Sequence, residues 1–166
     1  MNHYNKLSEH YKKIANFNHL AAVSRWDQAV MMPAGGNESR AQAMAELSLH
    51  IHQLSTSEHL GELFADAEAE SLSEIESASL REMQDQWQKA TVLPEQLVQA
   101  QSLAGSRCEH AWRRQRAEND WQGFAKNFAE VVLLSKEEAL IRADASNKTP
   151  MMPCWISMNL VLAAHS

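Results

Sequence analysis

Eight histidines, His3, His10, His19, His50, His52, His59, His110 and His165, are the side chains best suited to ligate a metal or carry a proton. His50 lies four residues after Glu46, one helical turn away on the same face. That spacing gives one His/Glu pair. A catalytic zinc normally takes three protein ligands, and the spacing supplies no third. No HExxH occurs, so the two-histidine helix of many metallopeptidases is missing from these residues. The favoured reading of Glu46 and His50 is a weak surface pair; a metal-binding helical bundle built on them is the alternative.

Other nucleophilic or anion-binding patterns fail on the same kind of test. No serine stands in a GxSxG elbow, and Ala34-Gly35-Gly36-Asn37-Glu38-Ser39 lacks the Lys-Ser/Thr ending of a phosphate loop. Cys108 and Cys154 are too few for a disulfide framework or a cysteine-ligated zinc. Cys108 sits in an apolar helical stretch and reads as a small buried hydrophobe. Arg113, Arg114 and Arg116 cluster with His110, as in sites for carboxylates or phosphates. Glu109, Glu118 and Asp120 flank them, so local ion pairing is the simpler reading. Trp26 and Asp27 near Arg25 could form a binding cluster; the favoured reading is a helix-end network in which Asp27 accepts bonds from the following turn or from Arg40.

These residues need elements to hold them, and the elements read as helices. Residues 3 to about 28 place Tyr4, Leu7, Tyr11, Ile14, Asn18, Ala21 and Arg25 at alternating spacings of three and four. Phe17, Val23 and Trp26 widen the apolar surface. Pro33 interrupts the pattern, Gly35 and Gly36 are expected to lend the turn its freedom, and Asn37 is positioned to cap a second helix. A short acidic helix is expected over residues 58–70. Ser71 and Glu74 fit a capping box for the next, whose stripe is Ile75, Ala78, Leu80 or Arg81, Met83 and Trp87. Pro94 suits the first turn of a long helix near 94–118. Asn119 or Asp120 then caps a last helix packed through Phe124, Phe128, Val131, Leu134 and Leu140. The fold class is all-α: an antiparallel array of five or six helices.

Composition narrows the function classes. Across 166 residues the acids outnumber the bases 21 to 15, a net charge of −6, which argues against a nucleic-acid binder. Nine acids and one arginine between residues 58 and 85 read as a solvated helical face, with an acidic recognition surface as the minority reading. No run of 18 apolar residues suggests a membrane span, and the first twenty residues lack the apolar core of a secretion signal. A cytoplasmic location is the expectation.

One segment is more specific. Arg25-Trp26-Asp27-Gln28, then Met31-Met32-Pro33-Ala34-Gly35-Gly36 and Arg40-Ala41, resembles the N-terminal signature of the M32 metallocarboxypeptidases, the thermostable carboxypeptidase type. A second patch agrees: Trp112, Arg116, Asn119, Asp120, Trp121 and Phe124, then Val131, Val132, Leu134, Glu137, Glu138 and Ala139, with Trp121 where the family often has Phe. The resemblance covers about residues 1–150. It implies the N-terminal part of a larger all-helical, zinc-dependent enzyme that releases C-terminal amino acids from peptides and is usually dimeric. The family's zinc is held by an HExxH helix and a later Glu, and no residue here matches them. The resemblance therefore carries over no catalytic, cofactor-binding or metal residue. Trp26, Asp27, Gln28, Met32, Pro33, Gly35, Gly36 and Arg40 are expected to be scaffold.

The resemblance also bears on the chain's end. After Pro150 the family typically continues YDALLDxYEPG, whereas residues 151–161 read MMPCWISMNLV. One coding sequence for YDALLDIYEPG, read one nucleotide out of frame, gives MMPCWISMNL and then the Val161 position. The expectation is a helical region over 1–150 and an out-of-frame tail over 151–166, in which Cys154 and Trp155 have no role. The fragment is then expected to lack activity and catalytic zinc, and to self-associate through apolar surface. A stand-alone helical interaction module is the rival reading.

Overall fold

The computed structural model describes residues 2–146. Among them are six α-helices: α1 His3–Val30, α2 Asn37–Ser55, α3 Leu60–Glu68, α4 Glu74–Thr91, α5 Glu95–Ala117 and α6 Trp121–Ser146. A single tight helical turn, Ala34–Gly36, precedes α2. The expected all-helical array is thus present. The proposed tail, residues 151–166, lies outside the described residues. The chain divides into two compact units, one ending at Thr91 and one starting at Val92.

In the first unit α1 buries Leu7, Ile14, Ala21 and Gln28, a sevenfold spacing that keeps one stripe inward. Asn18 and Arg25, expected on that stripe, are exposed. The core gathers Leu7, Leu60, Phe64, Ala67, Leu80 and Met83, with Tyr4, Tyr11, Leu63, Leu72 and Trp87 packed against it. Phe64 is 1% exposed and tilts against Trp87 at 5.3 Å between centroids. The Tyr11 hydroxyl donates to the Met83 carbonyl at 2.6 Å, and burial pushes its pKa up to about 12.

Two caps depart from expectation. Ser73 and Glu76, not Ser71 and Glu74, form the capping box of α4: the Ser73 amide donates to Glu76 Oε2 at 2.8 Å, and the Glu76 amide donates to Ser73 Oγ at 3.3 Å. Both pairs fit the S-x-x-E pattern. The later start leaves Leu72 outside the helix and free to pack on the core, while Ile75, expected to pack, is 83% exposed. Likewise Asn37 is the first residue of α2 but does not cap it; its Oδ1 is buried without a partner.

The N-terminus of α1 is capped from a distance as well as locally. Asn2 Oδ1 accepts from the Asn5 amide at 2.9 Å. The Glu70 carboxylate accepts from the His3 amide at 2.6 Å and the Tyr4 amide at 3.4 Å, a negative charge at the positive end of the helix.

In the second unit α5 and α6 form a helical hairpin. Leu97, Ala104, Cys108 and Gln115 are buried on α5, and Ala143 on α6. Gln101 Nε2 donates to Glu138 Oε2 at 2.8 Å, and Glu138 also accepts from Arg142 Nε at 2.7 Å. At the turn Asn119 adopts φ 57°, the left-handed conformation that asparagine tolerates. Asp120 is the cap of α6, its Oδ1 accepting from the Gly123 amide at 2.8 Å. A Cβ on Gly123 would collide with the Asp120 carboxylate and Gln115 Nε2, so a larger residue there would have to displace the capping side chain.

Candidate functional site

The signature residues converge on the end of α1 and the turn into α2. α1 stops because Pro33 cannot donate and is extended, at φ −60° and ψ 148°. The Asp27 carbonyl accepts both the Met31 amide at 2.8 Å and the Met32 amide at 2.9 Å, closing the last turn. The Gly36 amide donates to the Pro33 carbonyl at 2.9 Å. Across this turn Arg40 Nη2 meets Asp27 Oδ2 at 2.5 Å, and Arg40 Nη1 donates to the Ser24 carbonyl at 3.2 Å. Asp27 thus does both things expected of it: its backbone closes the turn and its carboxylate clasps Arg40.

The glycines act differently from expectation. Neither has a positive φ. At Gly36 a Cβ would lie 3.2 Å from Met32 Cγ, so the Met32 side chain would have to shift by a few tenths of an ångström. A Cβ on Gly35 would meet nothing within 4 Å. Gln28 is buried at 5% exposure, whereas Trp26 is 59% exposed. The Asp27 carboxylate is engaged by Arg40. The clasp can fix the angle between two helices and present Trp26 outward.

The chemistry-bearing residues fall elsewhere. His50 stacks edge-on against Phe17 at 4.8 Å. Cys108 is 6% exposed, and burial pushes its thiol pKa up, as for a small buried hydrophobe. Arg113 pairs with Glu109 at 3.0 Å and Arg114 approaches Glu118 at 4.0 Å. Arg116 instead stacks over Trp112, 5.2 Å from the ring centroid.

One cluster has no counterpart in the sequence reading. His3, Lys6, His10, His59, Glu62, Leu63 and Asp66 line an open cavity of about 480 Å³. The His3 ring lies 3.1 Å from Glu70 and 3.6 Å from Asp66. His10 Nε2 is 2.8 Å from the Leu54 carbonyl, and the His10 and His59 rings meet edge-on at 5.6 Å. The residues come from α1, α3 and the turn before α3, so no local spacing marks them. For Glu70, partial desolvation raises the pKa, but the His3 and Tyr4 amides and the His3 ring together outweigh it and hold the carboxyl below its usual range.

The helical array is one that known proteins share. The profile described as "Carboxypeptidase Taq (M32) metallopeptidase" matches residues 6–151, and the chain belongs to that family. Thermostable carboxypeptidase 1 of Thermus thermophilus is 32% identical over 140 residues, covering 82% of this chain and 28% of its own. Trypanosoma cruzi metallocarboxypeptidase 1 superposes with a TM-score of 0.69 at 33% identity, covering 89% of this chain and 30% of that one. The M32 carboxypeptidase of Deinococcus radiodurans gives 0.66 at 26% identity, over 86% and 29%. The chain thus spans under a third of the length of these relatives.

The family is one of metallopeptidases, so a catalytic metal is the group the residues present would have to fit. They do not fit one: among the described residues no group of three or more His, Cys, Asp and Glu side chains converges as a metal ligand set. Among those residues, too, no helix is long and apolar enough to cross a membrane.

Proposed function

We propose that this chain is the N-terminal helical scaffold of an M32 carboxypeptidase, a zinc-dependent enzyme that releases C-terminal amino acids from peptides. In this reading Trp26, Asp27, Gln28, Met32, Pro33, Gly35, Gly36 and Arg40 are scaffold, with Asp27, Pro33 and Arg40 fixing the α1–α2 turn. The metal ligands and the water-activating Glu belong to the rest of the fold, so the chain by itself neither holds catalytic zinc nor hydrolyses peptides. The observation that carries the reading is the family match over residues 6–151, joined to a signature whose side chains make a structural clasp.

Residues 151–166 are, in the same proposal, an out-of-frame tail. The experiment is to sequence the coding DNA through the Pro150 codon and beyond. One restored nucleotide is expected to open a frame that reads YDALLDxYEPG and, later, HExxH. A downstream sequence without either motif in any frame would overturn the scaffold reading. It would favour a stand-alone helical interaction module, for which the exposed apolar residues of α1 are the supporting observation.

A further inference from the structure

The geometry points to a binding site for a free apolar α-amino acid at the α5–α6 turn, a site that goes beyond the proposed function and does not depend on it. The left-handed Asn119 folds the last turn of α5 back on the first turn of α6. Around it Trp112, Gln115, Arg116, Asp120, Trp121 and Phe124 line one open cavity of about 210 Å³. Pockets for drug-sized ligands run to roughly 300–1,000 Å³, so the occupant here is small.

Three polar groups of this cavity are incompletely paired among the described residues. Arg113 and Arg114 each have a carboxylate, but Arg116 has none; its guanidinium lies over the Trp112 ring, 5.2 Å from the centroid, which leaves its N–H donors for an anion. Asp120 accepts the Gly123 amide through one oxygen, at 2.8 Å, and makes no ion pair with Arg116. Gln115 is 5% exposed and its Oε1 is buried with no donor. A buried amide oxygen without a donor is costly, and the last torsion of glutamine is soft, so a small rotation offers that oxygen to a donor in the cavity.

A guanidinium and a carboxylate that line one small cavity without pairing match a ligand that carries both charges. The ligand carboxylate goes to Arg116, and its ammonium to Asp120 and Gln115 Oε1. Trp121, 71% exposed and 5.6 Å from the Phe124 ring, supplies the face for an apolar side chain. A simple anion would leave Asp120 and Gln115 Oε1 without a donor, and a simple ammonium would face Arg116 unpaired. A zwitterion with an apolar side chain answers all three groups.

The test titrates the purified full chain with L-leucine and follows tryptophan fluorescence and the heat of binding. Saturable binding of one leucine per chain is expected. Leucinamide, which lacks the carboxylate, and N-acetyl-leucine, which lacks the ammonium, should each bind about tenfold more weakly or worse. Arg116→Gln and Trp121→Ala should weaken leucine by a similar factor while far-UV circular dichroism stays unchanged. Arg114→Gln, on the same helix but beside Glu118, should leave leucine binding intact. No saturable leucine binding overturns the site. So does N-acetyl-leucine or leucinamide binding as well as leucine, since one charge would then suffice, and so does leucine binding indifferent to both substitutions. If a variant unfolds, the two analogues on the parent chain still decide. None of these outcomes bears on the family reading.

Discussion

The Arg40 clasp makes a quantitative prediction. Arg40 holds two acceptors, Asp27 Oδ2 at 2.5 Å and the Ser24 carbonyl at 3.2 Å. The two charged side chains are 30% and 34% exposed, so solvent screening limits the ion pair to about 0.5–1 kcal/mol. The charge-assisted bond to Ser24 adds about 1 kcal/mol, because water reaches that carbonyl when Arg40 leaves. Arg40→Met keeps most of the alkyl stem and removes both contacts, a loss of about 1.5–2 kcal/mol. With a urea dependence of about 2 kcal/mol/M, the unfolding midpoint should fall by roughly 1 M. Asp27→Asn removes only the charge and should cost about half as much. The double-mutant cycle should show a coupling of about 0.5–1 kcal/mol that shrinks in 1 M salt. The assay is urea unfolding followed by far-UV circular dichroism. An Arg40→Met variant that unfolds with the parent, together with additive single substitutions, would refute the clasp as a structural element.

Three further outcomes follow from the same geometry. Glu70→Gln should lower stability at neutral pH, with the deficit disappearing on acidification. The folded-state pKa of Glu70 is depressed, so its contribution is present above the ordinary carboxylate range and is lost as pH falls through the lowered value; acid titration of both proteins by circular dichroism checks this. Gly35→Ala, with open space and no positive φ, should be neutral or stabilising by about 0.4–1 kcal/mol, whereas Gly36→Ala should be worse because Met32 must yield; thermal unfolding ranks the two. Phe64→Ala should cost about 3–5 kcal/mol by opening a cavity in the first unit's core, seen as a large drop in the denaturation midpoint.

Helix content was legible because long stretches keep one period and the breakers are strong: Pro33 and Pro94 each sit beside a boundary. The Asp27–Arg40 contact was also legible, since the turn between them is short. What was not legible had competing local solutions. Ser71 and Ser73 both begin a capping pattern; the structure uses Ser73 with Glu76, and Leu72 packs on the core. Asn37 has the right side chain for a cap but the helix begins one residue earlier in phase. The histidine-lined cavity depends on how α3 lies against α1, and no spacing encodes that. Glu70 capping α1 across 67 residues is likewise a tertiary fact. Val23 and Trp26 read as additions to one apolar stripe, and the structure leaves both exposed.

The central proposal is that this chain is the family's helical scaffold and by itself holds no catalytic zinc. Incubating the purified protein with zinc and a peptide bearing a free C-terminus, and following both bound metal and truncated products by mass spectrometry, tests it most directly. The account predicts no stoichiometric zinc and an intact peptide. One zinc per chain together with stepwise loss of C-terminal residues would contradict it.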